Sequence, residues 1–544
     1  MGNNFSARIM NTAVRALSAQ QAVIANIGNN IANVNTPNYA RRILTLETST
    51  STAVSSGVQL GSGVEVGTLI RSVDEYLNQA VREQTGNSQA SQLKLDFLSR
   101  IEPLFDLTGQ SNTIGSALTG FFNSVNSLAT NPSSIELRAD VLERATDLVQ
   151  AIKNTYGTLA SLQTEADRRI QTEIDTVNSI TSQIAELNGV ISRAEAAGGT
   201  AADERDKRDY LLEKLSEKIS FNRVENSDGT VTLSLKGGFT LVNTTTARML
   251  ETTTSPSFLS GAVPPSLDGG ALSFIVFNYD QGGGEAHVDL TAALGEGSGT
   301  IGGLLDLRGI AGASDTSAFE AEGILVNIAS RVEGITRELL TTVNAIYAGE
   351  DPPYSAGDAR DLDGAAPDVF GLFNFEWDGD EADKDVDGDG VAELSDITDS
   401  TVGVDNFSSR LMLSFTDPRR LAAARSSAAE PAVDPGNAEN LLALADLQEH
   451  RFSFSVGNYA LDATFGQSYN ETVTYVGNAT ARTRIDASVA QDSLTTAANR
   501  RDEISGVSLD EEFTALIKYQ QAYEASARMI RTAQEMIDEI VRLL

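Results

Sequence analysis

The sequence predicts a multidomain α+β protein in which terminal helices form an antiparallel coiled-coil region, with a long helical-bundle domain and an inserted β-rich outer region between them. Three observations carry this reading. Each end of the chain has an apolar stripe at alternating spacings of three and four, long tracts of helical period lie inside those ends, and the period falls to two just after Phe221. At 544 residues the chain exceeds what a single core can serve. The expected division puts residues 1–36 with 505–544 in the terminal coiled coil, and 37–220 with 301–350 and 411–504 in the elongated helical domain. Residues 221–300 with 351–410 then form the β-rich outer region, including an acidic loop at 378–396.

The first element rests on Met10, Ala13, Leu17, Gln20, Ile24, Ile27, Ile31 and Val34, which recur as a heptad seam. Asparagines at 26, 29, 30, 33, 35 and 38 lie off that seam, where an amide both donates and accepts. Pro37 then stops the helix by restricting Thr36. A long helical tract carries Ile170, Ile174, Val177, Ile184, Leu187 and Ile191, ends at Gly198 and Gly199, and is followed by another helix in "AADERDKRDYLLEKLSEKIS". Behind the turn "NSDG", Val231, Leu233 and Leu235 alternate with polar residues as a strand does, and "LSFIVFNYDQGGG" reads as a second strand. Helical spacing returns from Ile328 to Ile346; "LMLSFTDPRRLAAARSS" reads as a strand and the start of a helix, and the tract from Asn437 to Arg501 as mostly helical.

The last element places Leu509, Phe513, Leu516, Gln520, Tyr523, Ala527, Ile530, Ile537, Val541 and Leu544 on one stripe, with Ser508 and Glu511 spaced as a capping box. A stripe of this length needs a partner, and the simplest one is the stripe at the other terminus, run antiparallel, with Gln20 and Gln520 close together as polar seam positions. The residues expected to carry assembly are therefore Leu17, Gln20, Ile24, Ile27, Asn30, Ile31, Asn33 and Val34 at one end, and Leu509, Phe513, Leu516, Gln520, Tyr523, Ile530, Ile537 and Val541 at the other.

With 75 acidic against 40 basic residues, a formal charge of −35 opposes binding to nucleic acid or to an anionic membrane surface. There are no cysteines, so disulfides, thiolate metal sites and cysteine nucleophiles are excluded. The N-terminus lacks the apolar core of a secretory signal and no window is long and apolar enough for membrane insertion, which leaves a cytosolic protein or one exported without a cleaved signal. Neither His287 nor His450 belongs to a catalytic or ligand spacing, and no phosphate loop, nucleophile elbow or dinucleotide fingerprint is present, so the expectation is no enzyme and no cofactor. One motif has ligand logic. In "DVDGDGVAELSD", Asp385, Asp387, Asp389, the Val391 carbonyl and Asp396 follow the ligand order of a calcium loop, with Gly390 at the sharp turn. Asp396 stands where that motif wants a longer glutamate, and a solvated acidic turn accounts for the same residues without an ion. The aromatics Phe370, Phe373, Phe375 and Trp377 read as local core.

"NNIANVNTPNYARR" resembles the N-terminal signature of the bacterial flagellar axial proteins, with Asn38 where those proteins usually carry glycine. "GVSLDEE" followed by "YQQAY" is similar to the C-terminus of one family within that group, the hook-associated protein 1 family, and "IAELNGVISR", "DERDKRDYLLEKLSE" and "GGLLDLRGI" agree in order. Residues from about 355 to 410 depart from the family pattern. The resemblance implies a structural protein secreted unfolded through the flagellar export channel with a dedicated chaperone. It implies self-assembly into a ring between hook protein and hook-associated protein 3 at the extracellular hook–filament junction, with the terminal helices lining the inner tube. The nearest alternative is a hook or distal rod protein, which shares the N-terminal motif. An alternative from another class is a secreted calcium-binding adhesin with coiled-coil ends.

Overall fold

The computed structural model describes residues 2–50, 52–55, 58–105, 113–254, 266–280, 285–295, 297–310, 323–349, 358–367, 371–376, 407–426, 435–456 and 459–543. The chain is a multidomain α+β protein that divides into two compact units: 1–88 with 176–249 and 489–544, and 89–175 with 250–488. Three helices, Glu75–Ile101, Ile135–Ala196 and Phe465–Ser505, contribute residues to both. This differs from the expected three-way division. A helix of 62 residues outruns any single core, so its two ends bury their stripes in different units.

In the first unit the N-terminal helix Gly2–Ala32 and the C-terminal helix Leu509–Leu543 pair antiparallel: Gln20 meets Ser526 and, ten residues on, Asn30 meets Glu512. The first helix ends at Ala32, so Val34 lies in the following turn rather than on the seam. The chain then enters an antiparallel ribbon, Arg42–Thr48 with Val64–Arg71, in the register Arg42↔Arg71 and with a bulge between Leu44 and Leu46. The periodicity reading missed this ribbon because its aliphatic residues fall on both faces and give no clean alternation. Helix Ala202–Lys218 and a four-stranded antiparallel sheet complete the unit. The expected alternation holds there: Val231 and Leu233 are fully buried between half-buried Thr232 and Ser234. Gly198, at φ 84°, ends the long helix where a side chain would be strained.

The second unit is built on helices Ile114–Ala129, Thr300–Arg308 and Ile324–Glu338, packed with parts of the shared helices, and a three-stranded sheet with Phe274–Asp280 at its centre. Its core includes Phe121, Phe373, Phe454 and Phe465; Phe121 and Phe373 meet edge-on at 5.7 Å. One expectation is corrected here. "LMLSFTDPRRLAAARSS" gives strands Leu411–Leu413 and Ala424–Arg425 around a single turn Pro418–Arg420, because Pro418 at its first position and the extended Leu421 behind it leave no room for a helix. The tract after Asn437 is mostly helical, as expected, in helices Glu439–Asp446 and Phe465–Ser505, with a hairpin, Phe452–Val456 with Tyr459–Ala463, between them.

Candidate assembly site at the chain termini

The asparagine-rich stretch proves to be a latch. Asn30 is 1% exposed and uses its whole amide: Nδ2 donates to Arg42 O (3.0 Å) and Glu512 Oε2 (3.2 Å), while Oδ1 accepts from Tyr39 Oη (2.9 Å) and the Arg42 amide (3.1 Å). Asn26 also donates to Arg42 O, at 2.7 Å. These bonds fold the segment leaving the helix back against it. Asn33 donates to the Asn29 carbonyl and accepts from Thr36, closing the last turn before Pro37. Asn38 sits at φ 57°, the left-handed region that asparagine tolerates, and donates to Glu213 at 2.9 Å.

Arg41 is the hub of the latch. Its amide donates to Ser505 O, its carbonyl accepts from the Ser72 amide, its Nε donates to Glu512 at 2.8 Å and a terminal nitrogen donates to Glu511 at 2.7 Å. One residue thus joins the exit of the first helix, the base of the ribbon and the start of the last helix. Beside it, Arg42 pairs with Asp203 and Asp206 and lies over the Tyr39 ring at 4.8 Å, while Arg71 pairs with Asp206 and Asp209. Burial raises the Tyr39 pKa above its usual value, with Arg42 opposing, so Tyr39 remains a neutral donor to Asn30. A groove of 680 Å³ runs along this joint, lined among others by Thr36, Pro37, Arg41, Arg501 and Glu511.

Of the residues expected to carry assembly, Ile27 and Asn30 are buried, and Leu17, Gln20, Ile24, Ile31, Asn33 and Val34 are half-buried. On the last helix Leu516, Tyr523, Ile530 and Ile537 are half-buried, whereas Leu509, Phe513, Gln520 and Val541 are exposed. Two expectations about partners are corrected. Gln20 accepts from Ser526, six residues beyond Gln520, because the register is set by the small seam residues rather than by paired glutamines. Glu511 gives its carboxylate to Arg41 instead of closing a box on Ser508, a charge-assisted bond being the stronger one. Fully buried Ala13 was on the expected seam, whereas Ala19, Val23, Ala533, Ser526 and Glu512, all buried, were missed. A stripe search weights large side chains, whereas helices that approach closely bury small ones.

The calcium-loop residues Asp385, Asp387, Asp389, Val391 and Asp396, as well as Phe370 and Trp377, lie outside the described residues. Among the described residues no group of three His, Asp or Glu is placed to hold a metal, and no helix is long and apolar enough to cross a membrane. Phe375 packs edge-on against Phe407 at 4.9 Å, as core, and His450 packs against Phe452 at 5.0 Å.

Three family models match the chain: the helical domain of flagellar hook-associated protein FlgK over residues 98–351, the C-terminal region of the flagellar basal body rod FlgEFG proteins over 498–543, and the flagella basal body rod protein over 10–39. The chain is 26% identical over 585 residues to flagellar hook-associated protein 1 of Salmonella typhimurium, covering 98% of this chain and 99% of that one. To the protein of the same name from Bacillus subtilis it is 25% identical over 561 residues, covering 98% and 97%. Among solved structures, the flagellar hook junction protein FlgK from Burkholderia pseudomallei superposes with a TM-score of 0.58 at 14% identity, covering 79% of this chain and all of that one. That superposition speaks for the fold.

Proposed function

This chain belongs to the flagellar hook-associated protein 1 family and serves a structural role at the hook–filament junction; from that premise we propose that its copies close into a ring there. The ring contacts hook protein on one side and hook-associated protein 3 on the other, and the chain reaches that place by export in an unfolded state with a flagellar chaperone. The observation that carries the reading is the terminal helix pair. Its seam is buried, yet Leu509, Phe513 and Ile517, one turn apart on the last helix, stay 41%, 49% and 56% exposed. A row of large apolar side chains left in water on a surface helix marks a protein–protein contact.

The basal-body rod matches cover only the two ends, while the hook-associated match covers the interior, which favours the junction reading over hook or rod. The test is genetic. A strain lacking this chain should still build hooks but shed flagellin into the medium, and the intact gene should restore attached filaments. Loss of the hook itself in that strain would refute the assignment.

A further inference from the structure

Resting on the reading of this chain as a self-assembling junction protein, we infer which surface of a second copy covers the exposed row of the last helix: the outward line of the first helix. That line comprises Asn11, Val14, Ser18, Gln21, Ala25 and Gly28, at alternating spacings of three and four, and all six are exposed. At about 100° per residue the line lies roughly half a turn round from buried Val23, Ile27 and Asn30, of which Asn30 bonds Glu512 of the chain's own last helix. Gln21, at the edge of the line, also reaches that helix, donating to Tyr523 Oη at 3.4 Å, so the contact is tested at Ser18 and Ala25. It spans about 25 Å at 1.5 Å per residue and carries no charge. An outward helix face in water is ordinarily charged, and this chain has ample charge to spend, with 21% of its residues ionisable. The nearest charged neighbour, Arg15, is turned onto Ser49 and Glu65 of its own unit.

The occupant follows from length and charge. Leu509, Phe513 and Ile517 form a row about 12 Å long, which the uncharged line accommodates with room to spare. A Cβ added at Gly28 would meet nothing within 4 Å, so the line offers a shallow place for a large side chain from outside. The first helix has two arginines and no acid, whereas the last helix has seven acidic against four basic residues, so a first helix attracts a last helix and repels another first helix. Within one chain that attraction is spent on the inward seam. Between copies it repeats on the outward line, so that each first helix is held between its own last helix and a neighbour's, an arrangement that continues from copy to copy and closes as a ring.

The absence of cysteine makes the test clean. Ser18→Cys or Ala25→Cys is placed in one tagged copy and Leu509→Cys, Phe513→Cys or Ile517→Cys in another, the two are coexpressed in cells lacking the native gene, and hook particles are isolated and oxidised. The inference expects a disulfide between the two differently tagged copies in assembled particles and none in the dilute monomer. Ala25→Glu should leave the terminal helix pair as protected from deuterium exchange as in the unmodified protein, yet lower incorporation by about tenfold or more, since a buried unpaired carboxylate at every contact is costly. Particles that contain both copies without any such cross-link, or that take up Ala25→Glu normally, overturn the inference. If the unmodified chain itself fails to incorporate, it is the junction reading that falls.

Discussion

Glu512 is the residue on which the latch should be tested first. Its side chain is 3% exposed, and its carboxylate takes one hydrogen bond from Asn30 and one from Arg41. Glu512→Ala removes both. The Arg41 bond is charge-assisted and worth about 1.5–3 kcal/mol, and an Asn30 N–H left without an acceptor in a buried place costs about 1–3 kcal/mol. The sum is discounted because Arg41 keeps Glu511 and is a quarter exposed, leaving about 3 kcal/mol. At 1.4 kcal/mol per decade that is about a hundredfold rise in the opening of the terminal helix pair. Deuterium exchange of the amides in Leu509–Leu543 reads it directly, with the amides of Ile324–Glu338 as an internal reference that should not move. Glu512→Gln keeps the shape and one acceptor and loses the charge, so it should rise only about tenfold. If Glu512→Ala exchanges within about threefold of the unmodified protein, under 1 kcal/mol, the latch does not hold the helices and the geometry has been misread.

Four further outcomes are expected. Ile27→Asp places a carboxylate in the seam and should cost about 3 kcal/mol or more, seen as loss of protection in both terminal helices and as non-motile cells with detached filaments. Asn38→Val forces a β-branched residue to φ 57° and removes the bond to Glu213, lowering the urea midpoint by the equivalent of about 2 kcal/mol, whereas Asn38→Gly should cost well under half of that. Glu333 is fully buried, and burial raises its pKa even though Ser408 and Phe407 donate to it. A carboxyl whose folded pKa lies above its unfolded value adds stability that is full below the unfolded pKa and is lost as pH rises through the folded one, so thermal melting should fall upward from about pH 4.5 and flatten in Glu333→Gln. The calcium reading of Asp385–Asp396 predicts a calorimetric heat of binding that Asp387→Ala and Asp389→Ala abolish, whereas a solvated turn gives no heat in any of the three.

Periodicity exposed the terminal helices and the strand at Val231 because each is decided by neighbours a few residues apart, while the antiparallel sense came from pairing the two end stripes in the simplest way. It could not expose the ribbon from Arg42 to Arg71, whose aliphatic residues serve two faces at once, or the hairpin after Phe452, which interrupts a tract otherwise rich in helix formers. The asparagines show the limit most clearly. Their amide chemistry was legible off the seam, but their partners were not: the structure turns Asn30 inward, onto a carboxylate 482 positions away in the chain. No local pattern encodes that separation. A similar reason explains why the stripe of the last helix mixed half-buried Leu516 and Tyr523 with exposed Leu509 and Phe513: a heptad count merges two adjacent faces that differ only in who covers them. One face is satisfied when the chain's own ends meet. The other stays in water in the single chain, and on the reading proposed above a second copy covers it, so that the same helix completes the folded chain and offers the next contact.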